Sequence, residues 1–280
     1  CWCAMKTHFL SPIAIRWLAI CFWGGVITAC DGSKPATPSA YAITGALNDT
    51  GSVACASADQ AQQACPQPGL DGQDAEFGRD AKAATLKKRG GGFAGFDWTK
   101  LDATGKPLSQ QNVPWADSGS EAAGSRWSCV LDNVTALTWE IKETNPTDSR
   151  YFGHTYSWWM ASEQLNGGFN IHATPGVCFG VEPCETQAYV NWVNHVRLCG
   201  FSDWRLPSVR ELSSLAVLAN EIPAFDKNYF ADTIQPRFFT SQTYAPEPSR
   251  VWYVYFSDGS VSSTSKGDAS FLRLVRGVQP

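Results

Sequence analysis

The sequence predicts an exported protein of the α+β class with antiparallel strands. Three observations lead to this prediction: a short apolar segment ends at a cysteine near the N-terminus, two helical patterns lie close together, and alternating strands follow them. The 280 residues suffice for a substantial core. The 12 Trp against 2 Met, with only 17% charged residues, are typical of a β-rich exported chain rather than a cytosolic enzyme. We expect no cofactor.

The first 29 residues are predicted to be a signal peptide. The chain begins with Cys1, and the expected pattern starts only at Met5, so we interpret residues 1–4 as an over-extended reading frame. Basic residues precede an apolar run at 17–29. That run is too short to span a bilayer, which needs about 20 apolar residues.

Cys30 is predicted to carry acyl chains. Small residues precede it, as in a bacterial lipobox, and a Ser/Pro/Ala-rich stretch makes residues 30–40 a tether. The protein would then be a lipoprotein of the cell envelope, with the membrane as a partner through its acyl anchor and the rest facing the periplasm or the exterior. The alternative is an ordinary secretory signal followed by a chance cysteine.

Six further cysteines indicate an oxidising compartment and three disulfides. Proximity along the chain favours two short clips and leaves one long-range bridge: Cys55–Cys65, Cys178–Cys184 and Cys129–Cys199. Zinc is the competing explanation. Neither a C-x₂-C pair nor a paired histidine motif is present, so we expect no metal.

Residues 41–127 are predicted to form an irregular N-terminal extension that lies on the next domain and has no core of its own. The composition is rich in Gly, Asp, Ala and Gln. The stretch 96–101 is the clearest strand, and a turn follows it.

The following domain, residues 128–280, opens with a predicted strand at 137–141 and a long aromatic loop at 144–183. Residues 186–198 show helical spacing, with a stripe formed by Ala188, Trp192 and Val196 and flanked by Tyr189 and Val193.

A second helix is predicted to begin at Ser208. Ser208 and Glu211 form a capping box, in which each side chain satisfies a free backbone amide at the helix start. The buried stripe of this helix is predicted to contain Leu212, Leu215, Ala216 and Ala219.

Antiparallel strands are predicted at 238–242, 251–256, 261–265 and 271–278. The Asp-Gly pair at 258–259 is a strong hairpin signal. We expect the first strand of the domain to pair with the last.

Four ordered motifs resemble the Lcl C-terminal domain family, which takes its name from bacterial collagen-like adhesins. They are DNVTALTWE at 132–140, CGFSDWRLP at 199–207, WYVYFSDG at 252–259 and RLVRG at 273–277. Ala136 stands where the family usually has Gly, a difference interpreted as a packing change.

The resemblance implies a C-type-lectin-like fold and adhesion to a glycan or an envelope protein. A protein-modifying enzyme of the related sulfatase-modifying type is a distant alternative, and a structural module without a ligand is a nearer one. Acidic residues outnumber basic ones in 128–280, which argues against nucleic acid and heparin-like ligands.

Catalytic chemistry has little support in the residues. The cysteines have structural partners, no nucleophile elbow is present, and His195 is interpreted as structural or solvent-facing. Arginines at 205, 273 and 276 are predicted to be paired, one of them with Asp203. Glu247 lies in a loop that offers too few oxygens for calcium.

The predicted ligand contacts are four aromatic residues of the long loop: Tyr151, Tyr156, Trp158 and Trp159. Aromatic faces stack on sugars, and loops present them to solvent. The alternative is that these rings fill the seam between the extension and the domain.

Overall fold

The computed structural model describes residues 47–172, 176–219, 223–231 and 237–277. The predicted signal peptide, Cys30 and the tether lie outside these residues. The strands are β1 (Trp98–Leu101), β2 (Cys129–Asp132), β3 (Thr138–Glu140), β4 (Arg237–Thr243), β5 (Arg250–Tyr255), β6 (Ser260–Ser265) and β7 (Val275–Arg276). The helices are α1 (Glu163–Asn166), α2 (Thr186–Val196) and α3 (Val209–Ser213), with short 3₁₀ turns at Asp74–Glu76, Asp80–Lys82 and Leu198–Gly200.

Two antiparallel sheets and few helices make this a mixed α/β fold, in agreement with the α+β class. The first sheet has the order β1-β2-β3-β7, and the second has the order β4-β5-β6. β3 pairs with β7 through Trp139 and Val275, so the expected contact between the first and last strands of the domain is present. β7 has only two residues, fewer than the predicted 271–278.

Both sheets bury residues on both faces. In the second sheet, Phe238 and Val254 belong to one apolar cluster, whereas Phe239 and Val251 belong to the other. Strands buried in this way have near-continuous apolar sequences. The long apolar run at 251–256 therefore reflects two buried faces and not a single face in contact with the core.

The capping box predicted for α3 is confirmed. The Glu211 amide donates to Ser208 Oγ at 3.2 Å, and the Ser208 amide donates to Glu211 Oε2 at 2.8 Å. The helix ends at Ser213, so Leu215 and Ala216 are buried just beyond it. Within the described residues, no helix combines the length and the apolar character needed to cross a bilayer.

The buried face of α2 differs from the predicted stripe. Tyr189, Val190 and Val193 are buried, while Val196 is 47% exposed and Trp192 only partly covered. The Tyr189 hydroxyl donates to Glu140, which turns that face of the helix inward. The stripe of Ala188, Trp192 and Val196 consequently lies at the margin of the core.

The N-terminal extension supplies part of the main core. β1 is an edge strand of the first sheet and pairs along its whole length with β2. Phe96, Trp98 and Leu108 are buried in the same cluster as Trp139 and Val254 of the domain. The extension is therefore built into the fold through a strand and several large side chains.

Ala136 adopts a left-handed backbone conformation, with φ of 61°. Its amide donates to the Asp132 carbonyl at 2.8 Å, which closes the turn between β2 and β3. The interpretation of Ala136 as a packing change is wrong. Gly is usual here because only Gly adopts positive φ without a steric cost.

The three disulfides have the expected pairing. Cys55–Cys65 and Cys178–Cys184 close short loops, and Cys129–Cys199 joins β2 to the turn after α2 across 70 residues. Both sulfurs of the long-range bridge belong to buried residues. This bond ties the first sheet to the region of the helices.

Candidate functional site

Two of the four predicted ligand contacts are core residues. Tyr156 and Trp158 are each 0% exposed. Their segment is extended and hydrogen-bonds to residues 266–270, so alternate side chains point inward. Trp158 Nε1 donates to the Thr240 carbonyl at 2.8 Å, and Lys266 Nζ lies 4.5 Å from the ring centre. The prediction that these two rings contact a ligand is wrong.

Tyr151 and Trp159 are partly exposed, but neighbouring rings cover them. The His172 ring stacks on Trp159 with 5.0 Å between centroids. Tyr151 packs against Phe152 at 4.6 Å and against His154 at 5.3 Å. Trp159 consequently offers little free ring surface. Tyr151 keeps part of its side chain exposed, and its segment lies beside an exposed apolar loop.

That loop presents the most exposed apolar side chains of the region. Val177 is 72% exposed and Phe179 is 52% exposed. We name the set formed by Tyr151, Phe152, Val177 and Phe179 the clipped-loop surface. Apolar side chains this far out of the core contribute little to folding and are available to a binding partner.

The backbone holds this loop firmly against the segment that carries Tyr151. The Cys178–Cys184 disulfide closes the loop, and Thr155 and Val177 exchange hydrogen bonds of 2.9 and 3.0 Å. A Cβ atom at Gly180 would lie 2.3 Å from Ser149 Oγ, so the two segments touch closely at this glycine. The clipped-loop surface is thus preorganised, which lowers the entropic cost of binding.

The sequence model of the Lcl C-terminal domain matches residues 128–276. The chain belongs to the Lcl C-terminal domain family. This family suggests an extracellular domain of the adhesion type. No curated protein matches the chain.

Residues of the motifs that resemble the Lcl C-terminal domain make structural contacts in this chain. Asn194 of α2 exchanges two hydrogen bonds with the Trp204 backbone, at 2.7 and 2.8 Å. Arg205 makes two hydrogen bonds to Glu211, at 2.8 and 2.6 Å. Arg276 pairs with Asp203 at 2.7 Å, the partner that the sequence predicted.

Glu211 shows how the WRLP motif and α3 depend on each other. Burial acts to raise the pKa of this carboxyl, but Arg205 and the capping amide of Ser208 outweigh burial and lower it. The carboxylate therefore stays charged while it caps the helix and binds the arginine.

The cluster of titratable residues that most resembles a catalytic site lies inside the core. Glu140 accepts hydrogen bonds from Lys142 Nζ at 2.9 Å and from the Tyr189 hydroxyl. Burial lowers the pKa of Lys142 to about 8, with Glu140 opposing that change, and burial together with Glu140 raises the pKa of Tyr189. All three residues are buried, so the network supports the fold and cannot be reached by a macromolecular substrate.

Metal ligands are poorly represented in the described parts of the domain. Cys178, Glu182 and Cys184 lie close together, but both sulfurs are already joined in a disulfide. Glu247 accepts a hydrogen bond from Ser249 and lies 4.0 Å from Arg250 Nε, so its turn offers one carboxylate beside a cation. His195 is exposed on α2.

Sequence reasoning missed Val177 and Phe179. The available signal was the pair of cysteines six residues apart, because a disulfide so close along the chain closes a short loop, and loops lie at the surface. Aromatic content directed attention to residues 151–159 instead, although aromatic rings are also the largest contributors to cores.

Proposed function

We propose that the chain is a lipid-anchored cell-envelope protein that binds a glycan through the clipped-loop surface. The observation that carries this proposal is the exposure of Phe179 on a loop that is closed by a disulfide and hydrogen-bonded to the segment carrying Tyr151. Aromatic rings stack on the C–H faces of sugars, and a fixed loop presents them at low entropic cost.

The family and the cysteines support an extracytoplasmic role. An adhesion-type domain works outside the cytoplasm, and disulfides persist in oxidising compartments. The lipobox-like sequence before Cys30 supplies the attachment to a membrane, and the tether holds the domain away from the bilayer. Incorporation of labelled palmitate into the wild-type chain but not into Cys30→Ser tests this attachment, and equal labelling of both would contradict it.

The C-type-lectin-like fold is part of the same proposal. The antiparallel sheets, the two longer helices and the pairing of β3 with β7 support it. Calcium-independent binding follows, because the turn at 244–250 has a single carboxylate and a neighbouring arginine where a calcium site would need six or more oxygens.

A glycan array probed with the purified protein tests the binding function. The variant Phe179→Ala should reduce binding to the best glycan by at least about tenfold, while the melting temperature stays unchanged. Phe77→Ala is the matched control, since Phe77 is 59% exposed and lies in the extension. Equal losses in the two variants, or no glycan bound at all, would overturn the proposal.

Protein recognition is the second candidate, and the side chain of Val177 favours it. An aliphatic side chain that is 72% exposed offers no ring to a sugar and suits an apolar protein contact. In that case Val177→Ser should abolish cross-linking to an envelope protein, and Phe179→Ala should leave any signal on the glycan array unchanged.

A further inference from the structure

A cavity of about 390 Å³ opens where the extension meets the Lcl C-terminal domain. The extension contributes Gly91–Phe93 and residues 111–114 to its walls, and the domain contributes Asn228 and Tyr229. This volume falls within the range of about 300–1,000 Å³ that is typical of small-molecule sites. The cavity is separate from the clipped-loop surface and does not depend on the function proposed for it.

Lys100 provides a buried positive charge in the wall of the cavity. The residue is 2% exposed, and its Nζ donates a hydrogen bond of 2.7 Å to the Val113 carbonyl. Nζ also lies 3.8 Å from the centre of the Trp127 ring. An ammonium group has three N–H donors, and the contacts within the described residues satisfy one of them with an oxygen.

Two glycines keep the cavity open beside further donors. A Cβ atom at Gly91 would lie 2.4 Å from the Tyr229 hydroxyl, and one at Gly92 would lie 3.1 Å from Trp98 Nε1. Trp98 itself does not line the cavity, but its Nε1 is buried behind the glycine segment and has no hydrogen-bond acceptor in the part of the chain that is described. Buried donors of this kind are costly unless a partner satisfies them.

Asp226, the carboxylate whose charge acts on Lys100, already accepts hydrogen bonds from two backbone amides. Asp226 Oδ2 accepts from the Phe93 amide at 2.8 Å, and Oδ1 accepts from the Asn228 amide at 3.1 Å. Its charge partly offsets the attraction of Lys100 for an anion, but it makes no hydrogen bond to Nζ in the structure. The side chains of Phe93, Val113 and Pro114 supply apolar walls.

A site whose wall holds a buried ammonium group with a single oxygen acceptor among the described residues selects a negatively charged ligand. We propose that this cavity binds a small carboxylate, with the carboxylate on Lys100 Nζ and the body of the ligand against Phe93 and Pro114. Two sources share this chemistry: an acidic sugar, and the carboxyl end of a peptide.

Calorimetric titration of the full chain distinguishes these sources. The probes are D-glucuronate and N-acetylalanine, each paired with a neutral analogue, D-glucose and N-acetylalaninamide. We expect at least one carboxylate to bind at least about tenfold more tightly than its neutral analogue. Binding of glucuronate alone identifies an acidic sugar, binding of N-acetylalanine alone identifies a chain end, and binding of both identifies the carboxylate as the shared determinant.

Three variants link the binding to the cavity. Lys100→Met retains the aliphatic stem and should weaken binding by about tenfold, whereas Lys106→Met removes an exposed charge of the extension that does not line the cavity and should not weaken binding. Gly91→Ala narrows the cavity without changing its charge, so it tests the site even if Lys100→Met folds poorly. The proposal is overturned by equal affinity for the neutral analogues, by unchanged affinity in a folded Lys100→Met, by unchanged affinity in Gly91→Ala where Lys100→Met does not fold, or by the absence of saturable heat with all four probes.

Discussion

The N-terminal extension and the Lcl C-terminal domain satisfy their buried backbone groups in different ways. The domain uses mainly sheet ladders and α2, whereas the extension has a single strand and many of its loop amides donate to aspartate side chains. Asp80 accepts from the amides of Gly51 and Gly95, at 2.7 and 2.6 Å. Asp97 accepts from the amides of Arg89 and Gly90, both at 2.9 Å.

This difference explains which parts of the fold can be read from a sequence. Sheet strands and helices give the sequence a periodic spacing of apolar residues. An aspartate that accepts hydrogen bonds from two distant amides gives no such pattern. The cost of burial is also visible, since desolvation raises the pKa of Asp80 although both amides act to lower it. The family match begins at residue 128, whereas the core extends beyond this boundary into β1.

The largest expected effect concerns this boundary. A fragment that begins at residue 128 loses β1, and with it Phe96 and Trp98 from the core. We expect it to lack a cooperative thermal transition, while a chain that begins at residue 47 melts as the longer protein does. Circular dichroism with temperature checks this. A sharp transition in the shorter fragment would show that the domain folds without the extension.

Removing one buried tryptophan from each region sharpens the comparison. Trp98 in the extension and Trp158 in the domain are both 0% exposed. Each change to Ala should lower the free energy of unfolding by about 4 kcal/mol. Urea denaturation measures both values. If Trp98→Ala costs less than about 1 kcal/mol, the extension is only loosely attached to the core.

The disulfides should differ in the same comparison. Cys129–Cys199 closes 70 residues and Cys55–Cys65 closes 10. In the chain-entropy model their removal costs about 4 and about 3 kcal/mol respectively. Double Cys→Ala variants of each pair, unfolded in urea, provide the test. A larger loss of unfolding free energy on removal of Cys55–Cys65 than on removal of Cys129–Cys199 would contradict this ranking.

Much of the domain was predictable, for reasons that particular residues make clear. The capping box at Ser208, the hairpin at 258–259 and the strand at 137–141 depend on local spacing. The buried face of α2 was not predictable, because contacts with distant residues, such as the hydrogen bond from Tyr189 to Glu140, decide which face is buried. The burial of Trp158 depends on residues 240 and 266, which are more than 80 positions away in the sequence.

The pH dependence of stability should also reflect both regions. Burial lowers the pKa of Lys100 in the extension and of Lys142 and Lys266 in the domain to about 8 each. Between about pH 8 and the ordinary lysine pKa of 10.5, the unfolded chain binds more protons than the folded one. Stability should therefore rise with pH across this window.

Buried tyrosines set the upper limit of that rise. Burial raises the pKa of Tyr229 to about 12 and also raises that of Tyr156, so the folded chain retains these protons while the unfolded chain loses them above about pH 10. The melting temperature should reach its maximum near pH 10. In Lys100→Met the rise should be smaller than in the wild type, and an identical profile would contradict the assignment.

The smallest expected effect concerns two alanines with positive φ, one in each region. Ala94 in the extension has φ of 46°, and Ala136 in the domain has φ of 61°. Replacement by Gly removes a steric cost of about 1–2 kcal/mol but adds entropy to the unfolded chain, so each variant should gain about 0.5–1 kcal/mol. Ala103→Gly, in the turn after β1, is the control without this strain. Thermal denaturation of the three variants side by side measures the differences. If only Ala136→Gly gains stability, the turn of the domain is rigid. The backbone around Ala94 in the extension would then relax without a steric cost.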